Sequence, residues 1–195
     1  MKYMKWFHHI KASLCTPCIQ VLHRLHISAN DITFFGWIVV VIWFALSIYF
    51  NNPHYMIVAI WVHLFADGVD GVMARSFHQD TIFWSLLDIT FDHVGIVIFS
   101  LSMLMFDIVD PSIILLYTVF YTILIIVAFV RWELWIPYTF VFRPRIIIYA
   151  LVTLHMYITI PNIVVYAMYF FTLVLIVQVI WWIYVLLQYV RSTIS

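Results

Sequence analysis

Charged residues are scarce in this sequence, and that scarcity excludes most classes of protein. Only 9% of the 195 residues are charged, 66% are hydrophobic, and the mean hydropathy is +1.08. Soluble domains carry about 25% charged residues, so a water-soluble fold is not expected. Nine basic and nine acidic residues leave no formal net charge. We therefore expect no nucleic-acid partner and no strongly acidic partner.

Cysteine is also rare. Cys15 and Cys18 are too few for a disulfide framework, and their C-x2-C spacing has no second pair to complete a zinc site. We interpret them as reduced thiols in an interfacial segment. The first residues, 1–9, are too polar for a secretory signal, and no apolar core with a cleavage site follows directly. The amino terminus is therefore expected to stay in the mature protein.

Long apolar runs dominate what the sequence does contain. A helix needs roughly 20 apolar residues to cross a hydrocarbon core of about 30 Å. Polar and turn-forming clusters separate six candidate segments, at residues 32–50, 53–75, 82–106, 113–132, 145–160 and 162–190. The predicted fold is therefore an all-α integral membrane protein with six transmembrane helices.

Basic residues orient these spans, because cytoplasmic loops are enriched in Lys and Arg. With six spans, every basic residue falls on one side of the membrane, which predicts that both termini are cytoplasmic. These residues are Lys2, Lys5, Lys11, Arg24, Arg75, Arg131, Arg143, Arg145 and Arg191.

Ahead of the first span, apolar residues recur at helical spacing among Lys and His. They are Trp6, Ile10, Leu14, Cys18, Val21 and Leu25. The pattern predicts an amphipathic helix in the membrane interface, kinked or split at Pro17. The chain would thus comprise an interfacial segment, residues 1–28, and a six-helix transmembrane domain, residues 29–195. A loosely ordered tail is the alternative.

Four aspartates lie in stretches otherwise suited to lipid, where a charge costs about 2.5 to 3.5 kcal/mol on insertion scales. Helical periodicity places Asp67 and Asp70 on one stripe of the second span, and Asp88 and Asp92 on one stripe of the third. The two helices are joined by a short loop. A rise of about 1.5 Å per residue therefore puts all four carboxylates within roughly 20 Å of the same cytoplasmic turn.

These convergent carboxylates predict a metal site. They repel one another unless cations lie between them, and oxygen ligands suit Mg²⁺ or Mn²⁺. Two such ions about 4 Å apart can clamp a phosphoryl group during in-line displacement. Protonated acids, pairing with Arg75 and a proton relay are alternatives. A cation channel or transporter is another, although the spans become almost wholly apolar beyond His63 and Asp92. His63 itself is either a partner of the acids or, as we favour, a packed neutral histidine.

The same segment resembles the signature of the CDP-alcohol phosphotransferase (CDP-alcohol phosphatidyltransferase) family, D-x2-D-G-x2-A-R-x8-G-x3-D-x3-D. Seven of its eight fixed positions match over 26 residues. The matching residues are Asp67, Asp70, Gly71, Ala74, Arg75, Asp88 and Asp92. Asn30, Thr33 and Gly36 also look like the family's N-x2-T-x2-G motif at the start of the first span.

This resemblance implies a membrane enzyme of phospholipid synthesis. It would transfer a phosphatidyl or related phospho-alcohol group from a CDP-linked donor, such as CDP-diacylglycerol, to an alcohol and release CMP. By analogy, Asp67, Asp70 and Asp88 hold two Mg²⁺ or Mn²⁺ ions, and Asp92 shares in coordination and acts as the general base. The nucleotide would be bound by Thr33, Gly71, Ala74 and Arg75. The resemblance further implies a homodimer with its active site facing the cytoplasm.

One signature position departs from the family, because its glycine falls on Trp84. Three explanations are open: the Trp84 ring stacks on the cytosine, the donor lies differently from its place in the family, or the enzyme is specialised or impaired. We favour a ring that narrows or reshapes the nucleotide pocket. A catalytically silent or donor-switched member, acting as a binding or scaffold protein, is the alternative function.

Arginines flank the cytoplasmic link between the fourth and fifth spans, at Arg131, Arg143 and Arg145. They resemble the region that binds a phosphorylated acceptor in the inositol-phosphate and glycerol-phosphate members of the family. The resemblance implies an acceptor of that kind. Ordinary anchoring by basic residues at the cytoplasmic face is the alternative.

Overall fold

A computed structural model describes residues 16–136, 144–158 and 162–194 of the chain, and all regular structure in them is helical. A first helix, α1, covers residues 16–24. The helices that follow are α2 (Ala29–Tyr49), α3 (Pro53–Ser76), α4 (Ile82–Met105), α5 (Pro111–Glu133), α6 (Arg145–Tyr157) and α7 (Ile163–Ile194). Their bounds lie within a few residues of the six predicted segments.

Five of these helices are long and apolar enough to cross a membrane, namely α2, α3, α4, α5 and α7. The sixth, α6, is an apolar helix of 13 residues. It is shorter than the predicted span 145–160, whose last two residues lie outside the described part of the chain. The architecture is therefore that of an all-helical, multi-pass integral membrane protein.

Side-chain caps start three of the helices. Ser28 begins α2 in a capping box: its Oγ accepts from the Asp31 N–H at 3.2 Å, while its own N–H donates to Asp31 Oδ2 at 2.8 Å. Asn52 and Asp110 cap α3 and α5, and in both helices proline occupies the first turn, where no N–H is needed. The turn-forming clusters seen in the sequence thus act as helix starts.

The first five helices end in one common reversal without using glycine. In each, one residue adopts a positive φ, and the next N–H donates to the carbonyl five residues earlier, which is the Schellman arrangement. The positive-φ residues are His26, Asn51, His78, Asp107 and Trp135. The glycines instead lie inside helices, where the missing side chain allows close packing.

The described helices fall into two compact units, and the division lies within α4, between Gly95 and Ile96. In the first unit α2 packs along α3, and this unit contains all the glycines of the chain. They are Gly36, Gly68, Gly71 and Gly95. In the second unit α5 and α6 pack on α7.

The α1 helix belongs to the first unit and has two unlike faces. Ile19 is only 3% exposed and packs in an apolar cluster with residues of α2, α3 and α4, whereas Val21 and Leu25 are exposed. His23 stacks on Phe77 at the end of α3, with ring centroids 3.8 Å apart. Cys18 is an exposed free thiol, and Cys15 lies outside the described residues. The predicted location of this segment in the membrane interface stays a prediction.

Candidate active site

Helices α3 and α4 bring three of the four aspartates together in the first unit. One oxygen from each of Asp67, Asp70 and Asp88 lies within 4.8 Å of the other two. We call these residues the carboxylate trio. The trio and Asp92 line one pocket, whose walls are Thr33, Gly36, Trp37, His63, Ala66, Asp67, Asp70, Asp88, Phe91 and Asp92. The periodicity argument is thereby confirmed for the convergence of these acids.

Helix α2 fixes the most buried member of the trio. The Thr33 hydroxyl donates to Asp70 Oδ2 at 2.5 Å and also lies 3.0 Å from the Ala29 carbonyl oxygen of its own helix. Thr33 reaches Asp70 because α2 and α3 approach closely at Gly36. A Cβ at position 36 would lie only 2.6 Å from the Cβ of Ala66. The sequence indicated Thr33 and Gly36 through their resemblance to the family's N-x2-T-x2-G motif, but not the bond to Asp70.

The trio has the chemistry of a divalent cation site. Three neighbouring carboxylates cannot all stay ionised without a counter-charge. Within the described residues, the second oxygen of Asp70, Oδ1, is buried and accepts no hydrogen bond. An ion with metal–oxygen distances of about 2.1 Å bridges oxygens up to about 4.2 Å apart, so small side-chain movements close this site. The residues present therefore fit Mg²⁺ or Mn²⁺.

Asp92 has a different neighbour. Its Oδ1 lies 3.7 Å from Nε2 of His63, and both residues are 7% exposed. The distance is within ion-pair range but longer than a hydrogen bond. Asp92 is not a member of the trio, so its share in metal coordination stays a prediction. The structure brings His63 against an acid of the pocket, the partner position that the sequence left as an alternative.

The remaining signature residues follow on α3. Gly71 and Ala74 are buried, whereas Arg75 is exposed. The guanidinium of Arg75 lies back over Gly71, since a Cβ at position 71 would be 3.3 Å from its Nη2 atom. The missing side chain thus leaves room for a positive charge at the end of the helix.

Trp84 lies in the apolar cluster of the first unit and is 7% exposed. Its Nε1 is buried and has no hydrogen-bond partner within the described residues. The cluster comprises Ile19, Ala29, Val69, Val72, Met73, Ala74 and Trp84. Trp84 therefore packs beside the signature segment of α3 and is not a wall of the carboxylate pocket. Its predicted contact with the nucleotide stays a prediction.

Two arginines are buried in the second unit. Arg131 and Arg145 are each 4% exposed. The guanidinium carbon of Arg131 lies 5.0 Å from the centre of the Trp182 ring, a cation–π distance. Arg145 interacts electrostatically with Tyr117, which is fully buried. No sequence pattern indicated these aromatic partners, and Arg143 lies outside the described residues.

A family model for CDP-alcohol phosphatidyltransferase matches residues 26–194. The chain belongs to that family. The resemblance of its signature is thereby confirmed, and the match to the family model extends over the described helices from α2 to α7. This phosphatidyltransferase is a membrane enzyme of phospholipid synthesis that uses a CDP-linked donor.

Solved structures share the fold of this phosphatidyltransferase. Two crystal structures of the Mycobacterium tuberculosis phosphatidylinositol phosphate synthase match it with a TM-score of 0.73 and 17% identity. The match to the structure with CDP-DAG bound covers 88% of this chain and 92% of the synthase chain. The match to the structure in complex with manganese and citrate covers 87% of this chain and 87% of the synthase chain. No curated protein matched the sequence.

Proposed function

We propose that this protein transfers the phosphatidyl group of CDP-diacylglycerol to the hydroxyl of a phosphorylated polyol, in a metal-dependent reaction that releases CMP. The observation that carries the proposal is the trio of carboxylate oxygens within 4.8 Å of one another, inside the segment that follows the family signature. The structural neighbour with CDP-DAG bound supports the donor, and its manganese complex supports the metal.

Each acid of the pocket has a part in this proposal. Asp67, Asp70 and Asp88 would hold Mg²⁺ or Mn²⁺, two ions in all, with Asp92 sharing in coordination. Bound divalent cations neutralise the pyrophosphate and the charge that develops on the phosphoryl oxygens. Thr33 holds Asp70 in place through its hydrogen bond. Asp92 takes the proton of the acceptor hydroxyl as its oxygen bonds to phosphorus and the bond from phosphorus to the CMP oxygen breaks.

The donor nucleotide is proposed to lie along the end of α3. Arg75 is exposed there with its guanidinium over Gly71, and a guanidinium pairs well with phosphate oxygens. Ala74 and Thr33 complete this side of the proposed site. Trp84 fills the volume that a glycine would leave beside Ala74, so we propose that its ring narrows the nucleotide end of the site.

The acceptor is proposed to be a phosphorylated polyol, such as glycerol phosphate or inositol phosphate, bound by Arg131, Arg143 and Arg145. Burial of Arg131 and Arg145 supports this, because arginines that only anchor a protein extend their charge to water or lipid headgroups. A buried guanidinium instead offers its fixed fork of donors to an anion that enters the protein.

The proposed arrangement in the membrane has six spans, with α6 as the fifth, and both termini and the active site in the cytoplasm. Residues 1–28 form the interfacial segment and residues 29–195 the catalytic domain, which acts as a homodimer. A cytoplasmic site at the membrane surface lets a lipid-tailed donor meet a water-soluble acceptor. The orientation rests on the distribution of basic residues, and the homodimer rests on the family resemblance alone.

Incubation of the purified full chain with CDP-diacylglycerol and Mn²⁺ tests this function. The acceptor panel contains glycerol phosphate and inositol phosphate, each beside its unphosphorylated alcohol. We expect CMP release and a new lipid with a phosphorylated acceptor, and neither product in chelator. Turnover only with an unphosphorylated alcohol would contradict the proposed acceptor. No CMP with any acceptor would favour the scaffold alternative.

A further inference from the structure

His63 occupies an unusual place for a histidine on a membrane-spanning helix. It lies on α3 one turn before Asp67, is 7% exposed, and lines the same pocket as the carboxylate trio. Its Nε2 atom lies 3.7 Å from Oδ1 of Asp92 on α4. A polar ring at this depth is costly unless it has polar neighbours, and here the neighbour is an acid of the pocket.

The position of the ring depends on a missing side chain on α4. Gly95 follows Asp92 by three residues and therefore lies on the same face of the helix. A Cβ at position 95 would lie 2.5 Å from Nε2 of His63, 2.8 Å from Cε1 and 3.0 Å from Cδ2. The imidazole therefore occupies the space that any other residue at position 95 would fill.

This packing restricts where the ring can go. The ring is held between α3 and α4 with Nε2 directed toward Asp92, and a small movement brings the two atoms to hydrogen-bond distance. Catalytic hydrogen bonds are often long before substrate binds and tighten in the reacting complex. Residues that hold a metal ligand in orientation typically contribute about 10- to 100-fold to metal affinity or activity.

We propose that His63 is a positioning residue for Asp92, and that Gly95 provides the space in which His63 performs this role. The inference rests on the proposed function, in which Asp92 takes the proton of the acceptor hydroxyl. His63 touches neither donor nor acceptor in this account. It donates a hydrogen bond that orients Asp92, so its loss affects turnover more than the binding of donor or metal.

The test compares His63→Leu with His63→Gln in the full chain with Mn²⁺. Leucine keeps the volume and removes the donor, whereas the glutamine amide keeps a donor at similar reach. We expect His63→Leu to lower kcat by about 10- to 100-fold, with KM for CDP-diacylglycerol within about threefold of wild type. His63→Gln should recover most of that loss. His54→Leu, an exposed histidine on the same helix, serves as the control and should keep the wild-type rate.

Gly95→Ala tests the proposal without changing the chemistry of His63. The added methyl group would displace the ring, so kcat should fall as it does in His63→Leu, again with little change in donor KM. Equal rates for His63→Gln and His63→Leu, or unchanged kcat in Gly95→Ala, would overturn the positioning role alone. A wild-type protein that releases no CMP with any acceptor would overturn the proposed function and this inference with it.

Discussion

The four acids of the signature look equivalent in sequence, yet their surroundings differ. Asp67, Asp70 and Asp88 converge on one another, while Asp92 faces His63. This separation at the scale of single residues leads to different expectations for the same substitution. An asparagine keeps the size of the side chain and removes its charge, so it reports on what the charge does.

We expect asparagine at Asp67, Asp70 or Asp88 to weaken Mn²⁺ binding and to lower turnover by at least about 100-fold. Loss of an outer-shell partner already costs up to about 100-fold, and a direct ligand should matter at least as much. Asp92→Asn should lower kcat by about 10²- to 10⁴-fold, as expected for a general base, with smaller effects on Mn²⁺ and donor binding. Calorimetric titration of Mn²⁺ and CMP-release kinetics measure the two effects. Full activity of all three trio variants would exclude the metal mechanism. Equal loss of binding and rate in Asp92→Asn would make it principally a metal ligand.

Trp84 gives the second prediction at this scale. Because it packs among apolar residues of the first unit, Trp84→Gly should lower the free energy of unfolding by about 3 to 5 kcal/mol. Thermal unfolding in detergent measures this, and the exposed Trp181→Gly should cost much less. If Trp84 narrows the donor site, the folded variant should bind CDP-diacylglycerol more tightly than wild type. Weaker binding would instead indicate that the ring stacks on the cytosine.

The contact between α2 and α3 shows how a helix pair can position a site. Gly36 lets the two backbones approach, and this approach allows the Thr33 hydroxyl to reach Asp70. The N-x2-T-x2-G motif thus has a physical basis: its glycine permits the contact, and its threonine uses it. Without that contact the trio would lose support on the α2 side.

Gly36→Ala should therefore separate the two helices. Overpacking of this kind costs about 1 to 3 kcal/mol, and the variant should also lose Mn²⁺ affinity as Thr33 moves away from Asp70. Adding Ala66→Gly removes the opposing Cβ, so the double variant should recover Mn²⁺ affinity. Its free energy of unfolding should also recover, less the roughly 1 kcal/mol that glycine costs inside a helix. Thermal unfolding and Mn²⁺ titration follow both effects. A double variant no better than Gly36→Ala would show that the Cβ contact is not the cause.

For the whole molecule, the proposed six spans require the 13-residue helix α6 to cross the membrane. If it does, Asn162 and Ser192 lie on opposite sides, with Ser192 in the cytoplasm. If it does not, the two positions still lie on opposite sides, but the assignment is exchanged. The direction of labelling therefore separates the two topologies.

Single cysteines at Asn162 and Ser192, in a background with Cys15 and Cys18 replaced by serine, provide the measurement. Six spans predict that an impermeant thiol reagent labels position 162 in intact cells, and position 192 only after permeabilisation. Cysteines at Asp107 and His78 serve as references, because the proposed orientation places them outside and inside in both topologies. The reverse pattern at positions 162 and 192 would leave five spans.

Sequence patterns alone predict the helices and the two pairs of acids. Both follow from local rules: an apolar run of about 20 residues makes a span, and a period of 3.6 residues puts Asp67 beside Asp70 and Asp88 beside Asp92. The helix ends were less predictable. Five reversals use residues other than glycine at positive φ, such as His78 and Trp135, because backbone hydrogen bonds stabilise them.

Which side chains meet across helices depends on how the folded helices pack. Thr33 and Asp70 are 37 residues apart, and neither periodicity nor composition indicates that they share a hydrogen bond. The same holds for the space that Gly95 leaves for His63 and for the packing of Trp84 in the apolar cluster. Such contacts depend on the rotation and separation of packed helices, which close approach at a few small residues sets. A stripe of residues along one helix specifies a face, but not the side chain that the face will meet.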